Sequence, residues 1–179
     1  MKPRLLLFAA IFLSLTGCEK IKDATSITVS TNLQTTIPVT VVQTAMKSAD
    51  LLSVANAYTF SKSQELSLAS NIDISPYLSR INEININNIV ITISGLAAGQ
   101  TINSIALDVT GVGNIFTQTN ITSTNNSFTP TIASGVLNQV GAKLKADNKL
   151  TITVSGSASG TMTFTVSVSM DAKVVVYTI

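Results

Sequence analysis

The segment 161–178 restricts the fold more than any other part of the chain. Every even position from Met162 to Val176 is apolar, whereas the odd positions run Thr161, Thr163, Thr165, Ser167 and Ser169, then Asp171, Lys173, Val175 and Tyr177. A strict period of two puts the apolar side chains on one face of a β-strand and the hydroxyls on the other. Laid flat, such a strand would reach roughly 60 Å at about 3.3 Å per residue. A compact domain of this size is only about 40 Å across. The segment is therefore expected to bend, or to pass from one sheet to another, near Asp171.

The same period recurs upstream. Ile27 and Val29 alternate with Thr28 and Ser30, and after a polar gap Ile37, Val39 and Val41 alternate again. Pro38 points to an edge strand or a strand start, because it has no amide to donate to a ladder. Tyr58, Phe60, Leu66 and Leu68 fit short strands. Ile84 and Ile86 alternate with asparagines, and Ile89, Ile91 and Ile93 continue one residue out of phase. A bulge at Asn87-Asn88 would restore the common face. Ile105, Leu107 and Val109 form a further strand, as do Ile152 and Val154, with Gly156–Gly160 as the following turn. Residues 113–128, rich in Asn and Thr, read as a polar outer hairpin or a long loop suited to binding. Residues 44–57 fit either a weak helix or an irregular strand.

Two helical segments interrupt this pattern. Ser75 and Pro76 suit the cap and first turn of a one- or two-turn helix that would tuck Tyr77, Leu78 and Ile81 against a sheet. A longer helix is expected over 130–146, with Thr129 as cap and Pro130 in the first turn. Its apolar stripe is Ile132, Ala133, Val136, Leu137, Val140 and Leu144. Gly135 and Gly141 each cost it up to about 1 kcal/mol, so docking on a sheet must hold it. A membrane-surface helix is the alternative. The expected architecture is mainly β: an antiparallel β-sandwich of about eight short strands, with one amphipathic helix packed on the sheet.

At the other end of the chain, Lys2 and Arg4 precede the apolar run 5–13, which is too short to span a membrane. Leu15-Thr16-Gly17-Cys18 follows, and it contains the only cysteine. This tetrapeptide resembles the lipobox of bacterial lipoproteins, an aliphatic residue and two small residues before Cys. The resemblance implies cleavage before Cys18, a diacylglycerol on its thiol, and acylation of the new amino group. Two or more acyl chains make such an anchor stable. The expected division is a signal peptide over 1–17, a lipidated Cys18 with a short tether over 18–26, and one sandwich domain over 27–179. The lipobox implies an envelope protein, most readily of the outer membrane. The mature part resembles small β-rich lipoproteins of outer-membrane-bearing bacteria.

Charge and residue usage remove most chemistries. The formal excess of +2 comes from Lys2 and Arg4, so the mature part is balanced and offers no footprint for nucleic acid. Lys143, Lys145 and Lys149 read as a helix C-terminal cluster. With no histidine and one acylated thiol, a Ser-His-Asp triad and an imidazole or thiolate metal site are excluded. Gly111-Val112-Gly113 is too short for a phosphate loop. Glu65, Asp73 and Glu83 are the carboxylates that could meet as a glycosidase-type pair, and solvated surface acids are the alternative. No catalytic, metal or cofactor residue is assigned. The functional expectation is a non-catalytic binding or structural module with a protein or glycan partner. The alternative is a carrier holding a lipid or other hydrophobic ligand in an apolar cavity.

Overall fold

The computed structural model describes residues 25–43 and 58–178. Cys18 with its lipobox and the ambiguous segment 44–57 lie outside the described residues. The elements are β1 (Ser26–Val41), β2 (Thr59–Ser67), β3 (Ile81–Ser94), β4 (Ile102–Val109), β5 (Gly113–Ile121), β6 (Ser127–Phe128), α1 (Ser134–Asp147), β7 (Lys149–Ala158) and β8 (Met162–Tyr177). They form an antiparallel β-sandwich of two four-stranded sheets, ordered β1-β8-β3-β6 and β2-β7-β4-β5.

β8 is the spine of the first sheet. It pairs with β1 from Val41↔Met162 to Ser26↔Tyr177, and with β3 on its other side. Every even position from Met162 to Val176 is buried. The strand stays in one sheet over its whole length and does not pass to the other. The irregularity near Asp171 sits in its neighbour: β3 shifts register between Ile86 and Asn88. The extra residue, Asn87, turns outward and donates from Nδ2 to Asp171 Oδ2 at 3.2 Å. A bulge bends its own strand and sharpens the local twist, while Ile84, Ile86, Ile89, Ile91 and Ile93 all stay buried.

The polar gap in β1 is not a break. β1 runs for 16 residues, with Thr31 and Thr35 taking inward positions between Val29 and Ile37. A buried hydroxyl needs a partner. Thr31 Oγ1 donates to Asp73 Oδ2 at 3.0 Å, and Thr35 Oγ1 reaches the Glu65 carbonyl at 3.4 Å. Pro38 lies within β1, which is an edge strand. Gly156 is likewise inside β7 rather than in the turn, paired with Phe60 and Ile105, and a Cβ there would meet the Ser104 carbonyl oxygen at 2.0 Å.

The two sheets differ in length. β1, β8 and β3 have 16, 16 and 14 residues, against 8 to 10 in the strands of the second sheet. The Thr35–Glu65 bond sets β2 against the second half of β1. The first half of the long sheet still buries Ile84, Ala172, Val174 and Val176, and other elements complete that layer. α1 packs mainly on β3. Two 3-10 turns, Leu68–Ser70 and Ser75–Arg80, bring in Leu68 and Ile74, both fully buried. Tyr77, Leu78 and Ile81 pack against the core. Pro76 falls in the first turn, but Ser75 is not the cap. Instead Asn71 Oδ1 accepts the Asp73 and Ile74 amides.

α1 begins four residues after the expected cap–proline start. Ala133 holds the cap position with no side-chain bond, and its carbonyl accepts the Val136 and Leu137 amides. Pro130 favours extended backbone at Thr129, and Phe128 is paired with Ile91 of β3. The chain uses 129–133 to travel from that edge to the helix. Within α1, Val140, Gly141 and Leu144 are buried, so the apolar face meets protein. Ala133, expected on that face, is exposed. Asn148 ends the helix in the left-handed region at φ 56°.

Candidate functional site

Among the described residues, the principal concavities indent the rims of the sandwich rather than the space between its sheets, which one continuous apolar cluster occupies. One of them lies at the side formed by β5 and β6. These strands are not a hairpin. β5 pairs with β4 in the second sheet and β6 with β3 in the first. The turn between them therefore carries the chain across the sandwich. It is fixed by the Thr122↔Asn125 bridge, and the Ile93 amide donates to the Asn126 carbonyl at 2.8 Å.

A bulge shapes this side. The β4–β5 register passes from Leu107↔Phe116 to Asp108↔Asn114, which leaves Ile115 as the extra residue. Alternation is broken there, and Ile115 and Phe116 are both buried. Phe116 meets Phe128 of β6 at a centroid distance of 5.6 Å, so the aromatic pair bridges the two sheet edges. The groove beside it has a volume of about 630 Å³. One wall is 114–118 of β5; the other is 127–133, with Val136 of α1. No lining residue is ionisable. Ile115, Phe116, Phe128, Ile132 and Val136 supply apolar surface, while Asn114, Gln118 and the threonines supply donors and acceptors. A cleft of this volume and mixed lining can hold an uncharged ligand.

The groove is remote from the place where the chain enters the fold. Ser26, Tyr177 and Ile81 lie together at one end of the first sheet. β6 meets β3 at Ile91 and Thr92, roughly 33 Å further along the strand at about 3.3 Å per residue. A second groove, about 410 Å³, runs between Asn82–Asn85 of β3 and Asn138, Gly141, Ala142 and Lys145 of α1.

The carboxylates singled out from the sequence occupy separate settings. Glu65 lies on β2 and pairs with Lys149 at 2.9 Å, with both side chains about half exposed. The Glu65 hydrogen bond, followed by its charge, raises the Lys149 pKa above its ordinary value. Asp73 sits before the second 3-10 turn and accepts from Thr31. Glu83 is at the start of β3, beside the second groove. Asp147 pairs with Lys143 at 2.8 Å along the helix. Among the described residues no group of three acids could hold a metal ion. Sequence reading missed the β5–β6 groove because its walls belong to different sheets. The one local signal was the adjacent pair Ile115-Phe116, two apolar residues in a polar stretch.

No protein-family model matches the chain, and no curated protein matches its sequence. Among solved structures, the chain is similar to the decameric BFDV capsid protein. That alignment has a TM-score of 0.42 and 9% identity, and covers 83% of this chain and 99% of that one. A Desmodium yellow mottle tymovirus structure aligns at a TM-score of 0.36 and 12% identity, over 84% of this chain and 90% of the other.

Proposed function

We propose that this chain is a bacterial lipoprotein of the cell envelope, cut before Cys18 and acylated there, that presents a non-catalytic binding or structural module near the membrane. The observation that carries the reading is Leu15-Thr16-Gly17-Cys18, placed directly after a basic and apolar leader. A lone thiol in an exported chain is a reactive liability, and acylation removes it. The distance from Cys18 to the first strand at Ser26 is consistent with a short leash: eight residues reach at most roughly 28 Å. The outer membrane is the proposed site, with the sandwich held close to its surface.

The β5–β6 groove is the proposed binding surface. It lies at the end of the sheet away from the tether and holds hydrogen-bonding and apolar groups without charge. The test is metabolic labelling with palmitate. The parent chain should incorporate label and Cys18→Ala should not; equal incorporation would remove the basis of the proposal.

A further inference from the structure

The groove between β5 and β6 has a feature that most clefts on a sheet lack. A pocket on the face of a strand is lined by alternate residues, since neighbours point to opposite sides. Here the wall from β5 is five consecutive residues, 114–118, so the groove runs along the backbone edge. β5 is the outermost strand of its sheet, and among the described residues it pairs only with β4. Half of its backbone N–H and C=O groups therefore point away from β4, the arrangement that accepts an added strand. The opposite wall is also an edge, since β6 ends the first sheet among the described residues.

The other side of the sandwich is different. There β1 and β2 are in direct contact, joined by the Thr35–Glu65 bond. Asn71 Nδ2 occupies the Asn32 carbonyl at 3.3 Å, and Pro38 interrupts the edge. β5 has no proline and no charged residue from Gly113 to Ile121; of the usual guards against pairing it keeps a bulge, at Ile115.

We infer that the groove receives an extended, uncharged peptide segment of a partner protein, which adds as a strand to β5 and closes the sandwich between its two sheets. This rests on the reading of the chain as a binding module and names the class of partner. Three observations favour a peptide. The lining carries no charge, which disfavours phosphate, nucleic acid and lipid headgroups. Phe116 is only 7% exposed and Phe128 is half-buried beside it, so neither ring presents a fully open face for a sugar to stack on. The apolar floor and polar rim suit a segment in which Val, Ile or Phe alternates with Thr, Ser or Asn. One set of side chains would face Phe116, Phe128 and Val136, and the other would face solvent.

The test uses the full acylated chain in detergent micelles, with a set of capped heptapeptides of that alternating composition. The measurements are calorimetric affinity and amide hydrogen exchange. Members of the set should bind and slow exchange in 114–119. N-methylation of alternate peptide amides on the pairing edge should weaken binding by about tenfold or more, through lost backbone hydrogen bonds. Thr129→Trp, which fills the groove from an exposed position outside the ladders, should weaken it comparably. Equal binding of the N-methylated peptides, or no protection of 114–119 by any member, overturns strand addition. Chitotetraose serves as the sugar probe. If it binds in place of the peptides and is blocked by Thr129→Trp, the groove is a binding site but the peptide inference is wrong. A dimer in sedimentation that Thr129→Trp dissociates without peptide would assign the groove to a second copy and also overturn the inference.

Discussion

Gly141 of α1 lies so close to Ile84 of β3 that a Cβ added to the glycine would fall 2.1 Å from the Ile84 carbonyl oxygen. The helix sits on the sheet at a distance that only a bare Cα permits. The residue that weakens the helix in isolation is therefore the one that lets it dock. Gly141→Ala should gain about 1 kcal/mol of helix propensity and lose more to the forced separation, for a net loss on the order of 1–3 kcal/mol. Gly135 has open space around it, so Gly135→Ala should stabilise by about 0.5–1 kcal/mol. Urea denaturation of the two variants should give shifts of opposite sign.

Val140 is fully buried on the docked face of α1, Val136 is half-buried at the groove and Asn138 is exposed. Val140→Asp should cost several kcal/mol, on the order of 3 or more, because it places an unpaired charge in the core. Val136→Asp should cost less, and Asn138→Asp should be near neutral. Equal melting temperatures for the three would mean that α1 does not pack as described.

Asn148 combines a left-handed backbone, φ 56°, with a buried Oδ1 that has no hydrogen-bond partner among the described residues. Asn148→Gly removes both costs and should raise stability by about 0.5–1 kcal/mol. Asn148→Val should lower it by about 1–3 kcal/mol, and thermal melts distinguish the two.

The Lys149–Glu65 pair gives a pH signature. The folded pKa of Lys149 is raised above its ordinary 10.5 by the Glu65 bond and charge. Its contribution is therefore fully present below the unfolded value and is lost as pH rises through the raised folded value. The difference in urea midpoint between the parent and Glu65→Gln should be flat from neutral pH to about 9, then shrink above about 10.5. It should also shrink at high salt, because both side chains are exposed.

No hydrolysis of glycan, ester or peptide substrates is expected from the purified chain. Glu65, Asp73 and Glu83 stand on different elements, and the first two are bonded to Lys149 and Thr31. A turnover abolished by Glu65→Gln, Asp73→Asn or Glu83→Gln, with the fold intact by circular dichroism, would contradict this.

What the sequence disclosed was what its local period could encode. β8 was legible because all its inward positions are apolar, and the slip at Asn87-Asn88 was legible because the isoleucines on either side change phase. The middle of β1 was hidden because Thr31 and Thr35 point inward. Their hydroxyls are acceptable there only through Asp73 and the Glu65 carbonyl, both more than 25 residues away. The start of α1 was misplaced because Thr129-Pro130 matches a cap and first turn, whereas the pairing of Phe128 with Ile91 holds that stretch extended. The groove depends on β5 and β6 joining different sheets, and no short window of sequence contains that relation.

The Thr178 amide bonds to the Thr25 carbonyl at 2.7 Å, so β1 enters the fold beside the point where β8 leaves it. A force applied to the chain at Thr25 and resisted at the β5–β6 groove would have its larger component along β1, since β6 lies roughly 33 Å along the strands and about 14 Å across the sheet. It would load the ladder of 16 residue pairs between β1 and β8 in shear. Bonds loaded in shear share the force and must fail together, whereas bonds pulled apart crosswise open one at a time. The longest pairing among the described residues would thereby act as a mechanical clamp against tension entering at Thr25.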